Sequence, residues 1–395
     1  MFLSNLIRQN PEFGSAVIDL HQAGELPPDC YVIDLDTMAE NARSITTESH
    51  RLGMSVVAMT KQFGRNPDAL RTLVENGVDS FVAVDTTDAR ALYRANQRIG
   101  HVGHLVQIPR HTAREISAMR PDYWTVFSRE KALEAGAAAR DLGREQKLLA
   151  RVYGPGDVVV ETHAGGFDAE DILNVADQLD SIDGGSFAGI TSYPALTFDR
   201  TQQIVRANPN LATLERVANT LRDAGRADIE LNAPGETSTA VLSMLADAGA
   251  TQVEPGHGFT ATGAYHAFAD LPERPAMVYL SEVSHRYQNT TFCYGGGLYL
   301  CIGSVDYTPT AIVGRDFKEA VSQRVTAELS QNHQVIDFYG RLGEPAQSQL
   351  EEGDSVLFCF RAQAFYTRSS IAAVSGVHTG TPRVEGIYTA GGRRV

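Results

Sequence analysis

The sequence predicts an α/β protein: an eight-stranded (β/α)8 barrel of the TIM type, followed by a C-terminal, mostly antiparallel β-domain. Three observations predict it. Between Tyr31 and Glu254, short apolar runs alternate with capped helical stretches, which places a parallel sheet inside and helices outside. There are nine such runs, enough for a closed ring of eight with one piece over. Near Leu271-Pro272-Glu273-Arg274-Pro275 the pattern changes to strand-like runs broken by glycine. An open doubly wound sheet is the alternative; the lack of a GxGxxG after the first strand weighs against it.

Taken in order, residues 1–27 are polar and helical in pattern and stop at Gly24 and Pro27-Pro28, an extension packed on the main body. Residues 28–271 form the barrel. Its strands are expected at Tyr31–Leu35, Val56–Thr60, Ser80–Val84, His104–Ile108, Tyr123–Phe127, Leu148–Tyr153, Phe187–Ser192, Ile229–Asn232 and Gln252–Glu254. Helices follow through Arg51, over Pro67–Asn76, after the Asp85-Thr86-Thr87-Asp88 cap, and over Ala240–Ala248. Residues 272–395 form the β-domain, with strands at Val278–Leu280, Thr291–Tyr294, Leu298–Cys301 and Ser355–Phe360 and one helical stretch near Phe317–Val325.

A chain of 395 residues, 43% hydrophobic, has ample material for a large core. Its net charge of −14, with no basic block, excludes nucleic acid and anionic membranes as expected partners. The N-terminus lacks a basic region before an apolar core, and no segment is apolar enough to span a bilayer. The four cysteines are too scattered for a disulfide framework or a metal site. A cytoplasmic protein without a metal is the expectation.

The chemistry centres on Val56-Val57-Ala58-Met59-Thr60-Lys61, a buried strand that ends in a lysine. A lysine at the carboxyl edge of a parallel sheet, ringed by apolar strand ends, loses its proton near neutral pH and attacks a carbonyl. The plainer alternative is a solvated strand-end lysine. Three further loops decide for chemistry. Tyr193 follows a strand and can wall a flat ring, or pack under its loop. Ser238 and Thr239 stand in a glycine-containing loop at a helix start, which suits an anion as well as an ordinary N-cap. Glu254-Pro255-Gly256-His257-Gly258 is a second anion-friendly loop, and the last two loops of such barrels commonly form a phosphate site. An amine, an aromatic wall and a phosphate cradle together point to pyridoxal 5′-phosphate, with Glu254 against its ring nitrogen or paired with a rim arginine.

With these residues, and with Arg361-Ala362-Gln363 late in the chain, the sequence resembles the fold-type III pyridoxal-phosphate enzymes. Within these it resembles the alanine racemase-like barrels, most closely their YhfX-like branch. The resemblance covers most of the chain and rests on the order and spacing of the motifs. It implies a barrel plus β-domain in a homodimer, and Lys61 bonded to the cofactor. It also implies Tyr193 beside the ring, Glu254 where alanine racemases keep an arginine, and Ser238, Gly256 and His257 on the phosphate. The stretch Cys293-Tyr294-Gly295-Gly296-Gly297-Leu298-Tyr299 is similar to the one holding the racemases' second acid/base, which nominates Tyr294. Two departures stand out. Arg65 takes the place of a phosphate-holding tyrosine, and Arg361 and Gln363 stand where the related lyases keep metal ligands, where they would read a substrate carboxylate.

The function so implied is α-proton abstraction from an amino acid or related amine, first as a racemase or epimerase. A lyase of the dehydratase or aldolase type is the alternative. A non-catalytic carrier of the cofactor and a cofactor-free Schiff-base aldolase on Lys61 represent other classes.

Overall fold

Strands of two to eight residues, buried on both faces, form a ring because each can bury its two faces only between neighbours and covering helices. The strand Ser55–Met59 is followed in ring order by Ser80–Ala83, Ile99–Val102, Tyr123–Val126, Gln146–Tyr153, Gly185–Thr191, Glu230–Asn232 and the two-residue Gln252–Val253. Every pairing in the ring is parallel, and Gln252 and Val253 return to Ser55 and Val56, so the barrel closes. The computed structural model describes residues 1–298, 309–328, 338–343 and 350–395. The expected run Leu298–Cys301 lies, but for its first residue, outside the described residues, as does Tyr299.

By its contacts the chain divides into two compact units. One, Arg43–Thr60 with Val74–Gly256, holds the ring. Two of its helices begin where short polar side chains accept from free backbone N–H groups. Asp85 accepts from Thr87 N at 2.7 Å and Asp88 N at 2.9 Å, and Ser128 accepts from Lys131 N. The expected helix Ala240–Ala248 starts instead as a 3₁₀ turn, Thr239–Val241, and continues as Leu242–Asp247.

The other unit comprises Met1–Ala42, Lys61–Leu73 and His257–Val395. Its sheet runs, among the described residues, in the order Thr290–Tyr294, Tyr339–Leu342, Arg324–Glu328, Thr310–Gly314, Ser355–Phe358, Met277–Tyr287, Cys30–Asp34, Ser370–Ser375, Arg383–Tyr388. An apolar core covers one face, with Phe2, Leu6, Phe13 and Ile18 of the helices Phe2–Gln9 and Pro11–Gln22 packed on Val32, Leu280, Leu357 and Ala372.

Two strand expectations are corrected here. The strand near Tyr31, read as part of the barrel alternation, pairs with Met277–Leu280 antiparallel and with Ser370–Val374 in parallel. Its five residues are all buried, and a short run apolar on both faces fits the middle of either kind of sheet. The strand expected at His104–Ile108 is instead a loop, and the fourth neighbour in the alternation is Ile99–Val102. Gly103 is the reason. It sits at φ +80°, and a Cβ there would lie 2.4 Å from the Thr125 carbonyl oxygen. The apolar look of the following residues comes from Leu105, which packs with Val57, Met59, Val82 and Val84 at the strand ends.

Candidate active site

The carboxyl ends of the ring strands carry a buried polar network where an apolar filling would be ordinary. Glu254, one residue past Val253, is fully buried, and its Oε1 accepts from His101 Nδ1 at 2.7 Å and from Asn232 Nδ2 at 3.0 Å. His101 Nε2 is hydrogen-bonded to Thr125 Oγ1 at 2.5 Å, and Thr191 Oγ1 donates to Asn232 Oδ1 at 2.7 Å. Four strands are thus joined through one carboxylate. The other oxygen, Oε2, has no hydrogen-bond partner among the described residues, His104 Nε2 standing 3.6 Å away. Burial alone would raise the Glu254 carboxyl. The charge of His104 and the hydrogen bond from His101 outweigh it and hold the group down at about 2. Glu254 is a carboxylate at any working pH.

Arg151, inside the strand Gln146–Tyr153, is also fully buried. Its Nη1 donates to the His104 carbonyl at 3.1 Å and its Nε to Tyr153 Oη at 2.9 Å, while the guanidinium lies over the Phe127 ring at 4.6 Å. No carboxylate among the described residues pairs with it, and burial pulls its pKa down from the usual arginine value. Tyr153 Oη in turn donates to the Tyr193 carbonyl at 3.2 Å. The Tyr193 ring stands edge-on to His104 and His163, both at 5.9 Å, and packs on the apolar cluster at the strand ends. It is half-buried, so it walls the end of the ring and is not tucked under its loop.

Ser238 occupies the N-cap position before the Thr239–Val241 turn, yet its side chain makes no capping bond, so the ordinary N-cap reading does not account for the hydroxyl. Thr239 is half-buried beside it. Gly235 comes so close to Leu196 that a Cβ would stand 2.7 Å from the Leu196 nitrogen, which fixes this loop against its neighbour. Gly256 ends the last segment of the ring-bearing unit.

In the other unit, Lys61 is half-buried two residues past the end of Ser55–Met59, and its carbonyl accepts from Phe365 N at 3.0 Å. Gln62 ties the same way to Ala364 N. Gly64, at φ +68°, admits the Ile371 side chain where a Cβ would be 2.1 Å from its Cδ1. Arg65 Nη1 donates to the Phe365 carbonyl at 2.8 Å and lies over that ring. His257 is buried with Nε2 3.0 Å from the Ala362 carbonyl. Burial, then the charges of Arg361 and Lys61, lower its pKa well below the usual histidine value, so it is neutral. Lys61, His257 and Arg361 are therefore neighbours in the electrostatic sense. Arg361 is half-buried; Gln363 is buried ahead of the Ala364–Tyr366 turn. Tyr294 lies in the strand Thr290–Tyr294, its carbonyl accepting from Ser281 Oγ at 2.7 Å and its ring 6.1 Å from that of Tyr339.

Sequence reasoning missed His101, His104, Arg151 and Asn232. His104 and Arg151 stood inside expected strands, where a polar residue among apolar neighbours was the available clue. His101 stood outside any expected strand because the strand itself was misplaced.

The residues 33–262 match the family model "Alanine racemase, N-terminal domain", and residues 278–384 match "YhfX-like, C-terminal domain". A curated relative from Escherichia coli (strain K12), the uncharacterized protein YhfX, is 36% identical over 388 residues, 98% of each chain. The D-threonine aldolase from Filomicrobium marinum superimposes with a TM-score of 0.71 at 18% identity, covering 94% of this chain and 96% of that one. The D-threo-3-hydroxyaspartate dehydratase from Delftia sp. HT23 gives 0.66 at 15% over 91% and 96%. The alanine racemase of Clostridium difficile 630 gives 0.61 at 14% over 92% and 99%. At these identities the solved structures speak for the fold. No helix among the described residues is long and apolar enough to cross a membrane.

Proposed function

This chain belongs to the alanine racemase family, in its YhfX-like branch, and from that premise we propose that it is a pyridoxal 5′-phosphate-dependent enzyme acting on an amino acid or related amine. The observation that carries the reading is the donor and acceptor set buried at the strand ends. Glu254 is an ionised carboxylate with one oxygen open, and Arg151 is a buried guanidinium without a carboxylate partner among the described residues. A buried carboxylate oxygen without a hydrogen bond and a buried guanidinium without a counter-charge call for groups that satisfy them. A ring nitrogen bearing a proton suits Glu254 Oε2, and an anionic ring oxygen suits Arg151. The residues fit the cofactor.

When bound, the cofactor supplies an electron sink for the charge left at the α-carbon. The protein does the rest. Lys61 holds the cofactor and its Nζ takes the α-proton; His257, kept neutral, adds no competing positive charge beside it. Tyr193 walls one side of the ring, and Ser238, Thr239, Gly256 and the His257 backbone supply donors to the phosphate, with Arg65 adding charge. Arg361 and Gln363 read the substrate carboxylate. Tyr294 Oη returns a proton to the opposite face, which makes the outcome racemisation or epimerisation. The partners implied are a small-molecule substrate and a second copy of the chain.

Elimination or retro-aldol cleavage of a β-hydroxy amino acid is the second reading. One observation favours it: Glu254 is held ionised, which keeps a ring nitrogen protonated and strengthens the sink.

The test is the visible spectrum of the purified protein before and after borohydride, with mass mapping of the reduced adduct. A pyridoxyl group on Lys61, followed by α-proton exchange of an amino acid in heavy water, is the expected result. A colourless protein that takes up no added pyridoxal phosphate overturns the reading. Chiral analysis against keto-acid or aldehyde release then separates isomerase from lyase.

A further inference from the structure

His101 meets Oε1 of Glu254 at 2.7 Å and His104 stands 3.6 Å from Oε2, yet neither is itself a group that the proposed reaction uses. The three side chains are buried, and their ligating atoms lie within 4.8 Å of one another, so a metal ion is the first thing to weigh. The geometry speaks against it. Two ligands of one tetrahedral ion, each about 2.0–2.1 Å from it, stand about 3.3 Å apart. His101 Nδ1 and Glu254 Oε1 stand 2.7 Å apart, the separation of a charge-assisted hydrogen bond. His101 is further held from behind by Thr125, and Asn232 occupies the remaining donor position on Oε1.

The consequence is directional. Oε1 is saturated by two donors, so the carboxylate cannot rotate without breaking both bonds. Oε2 is left as the one oxygen able to accept, and the His104 ring beside it is too far to compete as a hydrogen-bond donor. We propose that His101 and Asn232 are positioning residues that clamp Glu254 as an oriented carboxylate, with Oε2 reserved for an N–H donor of the ligand's aromatic ring. The inference rests on the reading of Glu254 as the partner of the cofactor's ring nitrogen. The proton involved stays on the ring nitrogen; His101 keeps its own on Nδ1, and nothing is transferred.

Three measurements on the full-length protein test this. In cofactor-free protein labelled with ¹⁵N-histidine, long-range ¹⁵N–¹H spectra should show the His101 proton on Nδ1, with that state lost in Glu254→Leu, which has no acceptor. A bare Nδ1 in the wild-type protein overturns the clamp. In binding, the ratio of affinities for pyridoxal 5′-phosphate and for its analogue with carbon in place of the ring nitrogen isolates the Oε2 contact. The wild type should prefer the true cofactor by roughly ten- to a hundredfold, the worth of a hydrogen bond to a charged group. His101→Leu and Asn232→Leu should bring the ratio toward one while leaving analogue binding within about twofold. His101→Asn, which keeps a donor where Nδ1 was, should restore it; a variant that merely loosens the fold would weaken both ligands alike. An unchanged ratio in the leucine variants overturns this inference alone, whereas failure of the wild type to bind either compound overturns the cofactor reading and the inference with it. In metal analysis, stoichiometric zinc that is lost in Glu254→Gln overturns the inference in favour of a three-ligand metal centre.

Discussion

Two interiors within one chain are built on opposite rules. The sheet-bearing unit fills its core with leucine, isoleucine, valine and phenylalanine, among them Leu6, Phe13, Ile18, Leu280 and Leu357, all with almost no exposure. The ring, at its strand ends, buries Glu254, His101, His104, Asn232, Thr125 and Arg151. An apolar core stabilises by area removed from water and tolerates approximate fit. A buried polar cluster gives back little net energy. It costs heavily when one member is missing, so its members are there for orientation.

The widest gap between the two should appear at Lys61, two residues past the strand Ser55–Met59. Lys61→Ala should leave the unfolding midpoint within about 1 kcal/mol of wild type, as for a partly exposed side chain, yet reduce turnover by roughly a thousandfold or more and abolish borohydride fixation. Next comes Glu254. Glu254→Leu should destabilise by about 3–5 kcal/mol, because the histidines lose the charge that justifies their burial. The His101→Leu/Glu254→Leu double variant should lose clearly less than the sum of the single losses, measured by urea unfolding of all four members of the cycle. Additive losses would erase the distinction between the two interiors.

In the apolar core, Leu280→Ala should cost about 3 kcal/mol, and truncating a second, distant core side chain should add its own loss in full. Acid sharpens the contrast further. The Glu254 carboxyl sits at about 2 in the fold. Against about 4.3 unfolded, it contributes on the order of 3 kcal/mol that is present above about pH 4.5 and lost as the pH falls through about 2. His257, lowered by burial and by Arg361, contributes stability present above about pH 6.5 and lost below it. Urea midpoints from pH 7 downward should thus begin to fall near pH 6.5, and His257→Gln should flatten that upper part alone. The smallest effect belongs to Ser238→Ala, about fivefold weaker cofactor binding with unchanged stability, as for one neutral hydrogen bond.

The apolar interior was legible in the sequence because hydrophobic period and strand length announce it. The runs at Val56–Thr60, Ser80–Val84 and Tyr123–Phe127 lie within a residue or two of the observed strands. Direction was not legible: nothing in Tyr31-Val32-Ile33-Asp34 says whether its neighbour runs parallel or antiparallel. The polar interior was half legible. Glu254 could be singled out because it follows a strand and precedes a glycine loop. Its clamps could not, since His101 and Asn232 meet it only after strands far apart in the chain curl into a ring. A histidine inside a four-residue strand looks like any satisfied core histidine until its partner is known.

The strand Cys30–Asp34 has an unexpected bearing on how this chain can be divided. A gene cut near residue 271, where composition changes, would separate that strand from both of its neighbours, Met277–Leu280 and Ser370–Val374. The C-terminal fragment would expose two raw edges in mid-sheet, each a template for another molecule's backbone. The N-terminal fragment would carry a five-residue apolar ribbon with nothing to pair. Recombining halves between relatives, or expressing the barrel alone, therefore calls for a junction after residue 34, so that the strand stays with its sheet, or for a grafted surrogate strand, and fragments made without one should aggregate.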